Sequence, residues 1–207
     1  MERWSLINTP RPKSSCTLRA LSLACEVTAS LRTTIISFME SFDVCMWCRG
    51  RFSLKSDSKV THKYMESSPG CWSYYCEVLE REYRDRAFFE DECIHKLTVD
   101  AYAVQHPGKP SQQSVRSVGY HLIRLCLILE KEIAPARTQD LMVTITKKKQ
   151  VFWWLTPPSS MGTQTILDVF NARDLTEHKT EVKRWARSVW SAWEIHHDVI
   201  RSWLPIA

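Results

Sequence analysis

Ile94-His95-Lys96-Leu97-Thr98-Val99-Asp100-Ala101-Tyr102-Ala103-Val104-Gln105-His106-Pro107-Gly108 is the stretch on which the fold turns. It is apolar almost all round, which is the pattern of a helix buried between other helices rather than lying on a surface. The spacing predicts a helix from about Asp91 to Gln105, closed by the Pro-Gly turn. His95, Val99, Tyr102 and His106 fall on one stripe of it. Eleven residues of helix cover about 16 Å, so His95 and His106 cannot share one mononuclear metal. The expectation is that His95 faces the cysteine-rich segment upstream and His106 faces the far end. Asp100 is the odd residue, because an unpaired carboxylate in an apolar helix costs several kcal/mol or takes up a proton. Its candidate partners are a histidine, Arg116, Arg124 or a metal. A buried salt bridge, a metal ligand, an imidazole orienter and a general base are all open roles.

Downstream, Ser111 caps a second helix whose core stripe is Val115, Val118, Leu122, Leu125, Cys126 and Leu129. The short turn makes the two helices antiparallel neighbours. That geometry brings His121, beside the stripe, toward Asp100. Upstream, Ser68 and Pro69 start another helix, in which Trp72, Tyr75, Leu79 and Tyr83 recur at helical spacing. Glu77, Glu80, Arg81 and Glu82 are then expected to face water.

Cys45-Met46-Trp47-Cys48 has the spacing that lets two thiolates hold one metal from a tight turn. No second C-x-x-C is present, so further donors must come from elsewhere. The nearest are His62, after a loop of 13 residues, and Cys71 in the first turn of a helix, where the dipole favours a thiolate. Cys45, Cys48, His62 and Cys71 make a Cys3His set suited to zinc. A redox pair is disfavoured because no βαβ pattern surrounds the motif, and inert thiols are the bland alternative.

The C-terminal third is less regular. Leu141 to Trp154 reads as strand or helix, and Trp154-Leu155-Thr156-Pro157-Pro158 as an extended stop. Thr165 and Asp168 form a capping pair. A long helix starts at Thr176, with Val182, Trp185, Ala186, Val189, Trp193, His196, Ile200 and Trp203 on its core face. A tryptophan stripe at this spacing is packing before it is a cofactor box. His196, on that stripe, is expected to reach the bundle interior.

The balance of the 207-residue chain is ordinary: 44% apolar, 25% charged and a net charge of +5. Five glycines argue against an all-β protein rich in tight turns. Lys147-Lys148-Lys149 is a solvated run without interleaved aromatics, so there is no strong nucleic-acid signal. No apolar run is long enough to span a membrane. Eight cysteines in a chain of this length point to a reducing cytoplasm with thiols free or metal-bound. Met1 to Val44 is rich in Ser, Thr and Arg and has weak periodicity, and within it residues 1–38 stand apart. They are expected to be a poorly ordered extension, with Met39 a candidate start, ahead of a single helical domain over 39–207.

The segments His95-x-Leu97-Thr98-Val99-Asp100-Ala101-Tyr102-x-x-Gln105-His106-Pro107-Gly108 and Ser67-Ser68-Pro69-Gly70-Cys71-Trp72 resemble those of an uncharacterised family of bacterial proteins, a domain of unknown function. Trp154-Leu155-x-Pro157-Pro158 and Trp185-Ala186-x-Ser188-Val189-Trp190 are similar too. The likeness runs from about Cys45 to Leu204. It implies a shared fold and assigns no catalytic role. The family's C-x-x-C is followed by glycine, whereas here Arg49 precedes Gly50, which implies an altered knuckle.

The expectation is therefore a mainly α protein, a bundle of about five helices with a small N-terminal cysteine knuckle over 45–71. Three functions fit it. One is a zinc-stabilised binding or regulatory domain with an unidentified partner. Another is a metal-dependent hydrolase with Asp100, His106, His121 and His196 between helices and an open position for water. The third is a metal-free interaction scaffold. No nucleophile elbow, phosphate loop or His-Glu-x-x-His motif raises the enzyme reading.

Overall fold

The structure, a computed structural model, describes residues 42–54, 60–88 and 91–204. The expectations for residues 1–38 lie outside that range. The described part is mainly helical, with a two-stranded hairpin at its N-terminal end. Strands β1 (Phe42–Val44) and β2 (Arg51–Ser53) pair antiparallel, Asp43 opposite Phe52. Helices α1 (Pro69–Arg84), α2 (Glu92–Gln105), α3 (Gln112–Leu125), α4 (Pro135–Lys147), α5 (Ile166–Phe170), α6 (Leu175–Ala192) and α7 (His197–Ser202) follow. Leu141 to Lys147 thus belongs to a helix, α4, and the chain from Lys148 to Trp154 is turn and irregular. Among the described residues no helix is long and apolar enough to cross a membrane.

The caps carry the helix boundaries. Ser68 Oγ accepts from Cys71 N at the start of α1, and Ser111 Oγ from Ser114 N at the start of α3. Thr165 and Asp168 close a capping box on α5. Asp174, one residue before α6, accepts from Glu177 N, so the long helix begins at Leu175 rather than Thr176.

Helix α2 is the centre of the bundle, packed on α6 and α3, and every residue from Asp100 to His106 is buried. Trp185 of α6 and Trp193, which caps its C-terminal end, are its seam. Trp185 Nε1 donates to Gln105 Oε1 at 3.0 Å, and Trp193 Nε1 donates to the Val104 carbonyl at 3.3 Å. A buried indole N–H needs such a partner, and here α2 supplies both.

Two expectations change. Glu82 is buried, not turned outward, while Tyr83 is 61% exposed. The inward face of α1 runs through Cys71, Tyr75, Val78 and Glu82, about 100° round from Tyr83. The long C-terminal helix is also broken. It ends at Ala192, and a 3₁₀ turn over Glu194–His196 shifts the phase before α7. His196 therefore leaves the core face and donates Nε2–H to the Thr156 carbonyl at 2.8 Å near the surface.

Candidate metal centre

The hairpin has almost no core of its own, so its position depends on what it meets. In the turn, Cys45 N donates to the Gly50 carbonyl at 3.0 Å, and Arg49 N to the Cys45 carbonyl at 3.0 Å. Arg49 closes that turn at φ 60°, a conformation that glycine adopts without strain. The hairpin is docked on α1 by Asp43, whose carboxylate accepts from Gly70 N at 2.9 Å. A Cβ at Gly70 would stand 2.7 Å from Phe52 Cβ, so only glycine lets the strand approach this closely.

Docking brings Cys45 and Cys48 over the first turn of α1, where Cys71 sits. The fourth donor comes from α2. The α1–α2 link is short, so the helices run antiparallel, and contacts step along them in register. Cys71 meets His106, Tyr75 stacks on Tyr102, and Glu82 meets His95. These pairs lie four and eleven residues along α1 and the same number back along α2.

The ligand atoms of Cys45, Cys48, Cys71 and His106 all lie within 4.8 Å of one another, and all four residues are buried. Cys48 Sγ is 3.9 Å from Cys71 Sγ, and His106 Nε2 is 3.4 Å from Cys71 Sγ. A tetrahedron built on zinc–sulfur bonds of about 2.3 Å has edges of about 3.8 Å, and about 3.6 Å where one corner is nitrogen. The two separations match. His106 is also prepared as a ligand. Its Nδ1–H donates to the Tyr102 carbonyl at 2.8 Å, which leaves the Nε2 lone pair toward the sulfurs. Tyr102 O–H donates to Cys71 Sγ at 3.6 Å, the kind of contact that steadies a thiolate.

The electrostatics point the same way. Hydrogen bonds from Cys48 and Cys71 hold Cys45 far below the ordinary thiol range. Cys48 is pushed up to about 12, chiefly through Cys45, and burial drives Cys71 up further. Three buried sulfurs this close cannot all be anionic unless a cation sits among them. The group could hold a metal such as zinc.

The spacing of donors points to His62, but the fold puts His106 in the fourth place. His62 Nδ1 instead accepts from Met65 N at 3.3 Å, and its half-buried ring packs on Tyr64 and Trp72. Burial lowers its pKa below the ordinary imidazole value. The roles expected for the two α2 histidines are thus exchanged: His106 meets the cysteines and His95 the far end of α1.

Asp100 and His121 do meet, at 2.7 Å between His121 Nδ1 and Asp100 Oδ1. Arg124 also closes on the same carboxylate, donating Nε–H to Oδ2 at 2.7 Å. Burial raises the Asp100 carboxyl, but Arg124 and His121 outweigh it and hold it below the usual range. This is a satisfied ion pair. His106 and His196 lie elsewhere, so the four residues expected for an interhelical catalytic site are not brought together.

One cluster has no counterpart in the sequence reading. Glu82 accepts from His178 Nε2 at 3.0 Å, His95 Nδ1 at 2.8 Å and Thr98 Oγ1 at 2.6 Å. Glu82 and His178 are each 1% exposed. Burial raises the Glu82 carboxyl, but the hydrogen bonds from His178, His95 and Thr98 bring it below its ordinary value. An acidic residue four places after a core valine is the one sequence signal that could have marked it.

No curated protein and no solved structure matches this chain. A family model does match, over residues 43–194, a span holding the hairpin from Asp43 on, all four converging donors and the helices that position them. The chain belongs to that family, DUF5946, a family of unknown function.

Proposed function

We propose that Cys45, Cys48, Cys71 and His106 bind one zinc ion that is structural, and that the protein is a zinc-stabilised helical binding domain. The convergence of four buried donors at tetrahedral spacing carries this reading. Four protein ligands fill a tetrahedral zinc and leave no position for water or substrate, which is the arrangement of structural sites. The ion would join the hairpin, the start of α1 and the end of α2, three segments that are distant in sequence. Zinc binding free energy then becomes folding free energy for the hairpin. With no reacting position at the metal, and with Asp100 and His121 closed by Arg124, function falls to the surface that this frame holds rigid.

Cobalt(II) substitution tests the coordination. The full chain refolded with Co(II) should show strong tetrahedral ligand-field bands and thiolate-to-cobalt charge transfer, both weakened in Cys45→Ser and in His106→Ala. A weak octahedral spectrum, or one unchanged in both variants, would contradict the assignment.

A further inference from the structure

Two surface clefts differ in how they balance charge. The cleft between α1 and the α5–α6 loop mixes arginines with acids and neutralises itself; Arg84, for instance, is held by Glu80 at 2.6 Å. The groove between the C-terminal half of α6 and the loop before α5 is about 800 Å³ and has no acid among its lining residues. It carries Arg184 and Arg187, the hydroxyls of Ser160 and Thr163 among others, and an apolar end at Ile195. Ile195 is 75% exposed. Arg184 shares its charge with Glu181 on its own helix, at 2.9 Å. Arg187 is exposed and has no ion pair among the described residues.

The loop that forms the other wall is irregular yet fixed from two sides. From beneath, the fully buried Gln105 donates Nε2–H to the carbonyls of Met161 at 2.9 Å and Gln164 at 2.8 Å. From the side, Ser188 Oγ accepts from Thr163 N at 2.8 Å. Gly162 between them has φ +93° and lies so close to Ser188 that a Cβ would stand 2.7 Å from its hydroxyl. A wall held this way has little entropy left to lose when a ligand arrives.

We propose that this groove binds a phosphate monoester. Arginines three apart on a helix have neighbouring side chains. One guanidinium already fills the two oxygens of a carboxylate. Two guanidiniums with added hydroxyls suit the three oxygens and the charge of about −2 on a monoester. The ester's organic part would lie against Ile195. This site stands apart from the metal reading, since none of its residues is a proposed ligand.

The test is an amide NMR titration of the full chain with phenyl phosphate, benzoate and a short neutral peptide carrying phosphotyrosine. Phenyl phosphate should give saturable shifts at Gly162, Thr163, Gln164 and Ser188, binding about tenfold or more tighter than benzoate. Arg187→Gln should weaken it by about tenfold or more, with metal content and melting temperature unchanged. Arg187 is exposed, so a folding defect is not expected. Tighter binding of the peptide than of phenyl phosphate would place the monoester on a protein partner; equal binding would place it on a small molecule. No saturable shift up to about 10 mM phenyl phosphate, equal binding of benzoate, or full binding by an Arg184→Gln/Arg187→Gln variant would overturn the proposal.

Discussion

The two ends of the α1–α2 pair solve the same problem differently. At one end Cys71 and His106 meet, and at the other Glu82 and His95. Both ends bury polar groups that water would otherwise satisfy. The Glu82 end is satisfied at its carboxylate, which accepts from two imidazoles and a hydroxyl drawn from α2 and α6, while the buried His178 Nδ1 has no partner among the described residues. The Cys71 end is not satisfied in this way. Three sulfurs this close would repel one another as anions, and the group that gathers there adds one imidazole to them. The difference is one of leverage. The Glu82 cluster lies between helices that also share an apolar core, whereas the cysteine group holds a short hairpin that, besides its own two cysteines, buries one large apolar side chain, Phe52. The proposed ion would act where the apolar area is too small to fix a segment.

The largest effect should come from breaking the cysteine end. Cys71→Ser should abolish metal binding and release the hairpin, costing about 4 kcal/mol or more and about 10 °C or more in melting temperature. Calorimetry with metal analysis checks it. A melting temperature within a few degrees of wild type would show that the two ends do not differ as described.

Glu82→Ala attacks the other end. It leaves the buried His178 and the half-buried His95 without their acceptor, and removing one partner of a buried pair costs about 3–5 kcal/mol. Denaturant unfolding should show that loss while metal content stays intact, which separates the two ends. The acid limb sharpens the point. Because Glu82 titrates below its ordinary value of 4.5 when folded, its contribution is present above that pH and is lost as pH falls through the folded value. Glu82→Gln should therefore flatten the stability profile below about pH 4.5. An unchanged acid limb would mean that the carboxylate is not held as an ion.

How far these ends can be read from the residues alone also differs. Cys45, Cys48 and Cys71 are legible because C-x-x-C spacing and a helix-start cysteine each have a physical meaning. His106 was in view as a histidine on a buried stripe, but it becomes a ligand only once α1 and α2 are paired antiparallel. The turn rule that brings His121 to Asp100 applies equally to the α1–α2 link, and there it selects His106 over His62. Glu82 is hidden by a habit of pattern reading. The aromatic residues of α1 suggest a stripe through Tyr83, and a glutamate beside it defaults to solvent. Its burial is set by His178, 96 residues away. Local periodicity cannot see such a partner. The break after Ala192 is equally silent, since the apolar spacing continues through it.

A smaller effect concerns the loop beyond the metal end. Gln105→Ala removes the acceptor for Trp185 Nε1 and two donors to the Met161–Gln164 loop. It should cost about 2 kcal/mol and speed hydrogen exchange at Gly162 to Gln164, with metal retained.

The smallest effect is a gain. Arg49→Gly relieves the left-handed backbone at φ 60° and should stabilise the hairpin by about 0.5–1 kcal/mol, read as slower metal loss to a chelator. Faster loss would mean that the Arg49 side chain contributes more than its backbone costs.

The most direct test of the central claim is zinc stoichiometry in the purified full chain and two histidine variants. Near one zinc per chain in the wild type and in His62→Ala, with loss in His106→Ala, is the result expected from the geometry. Zinc retained in His106→Ala but lost in His62→Ala, or no metal in any of the three, would contradict it.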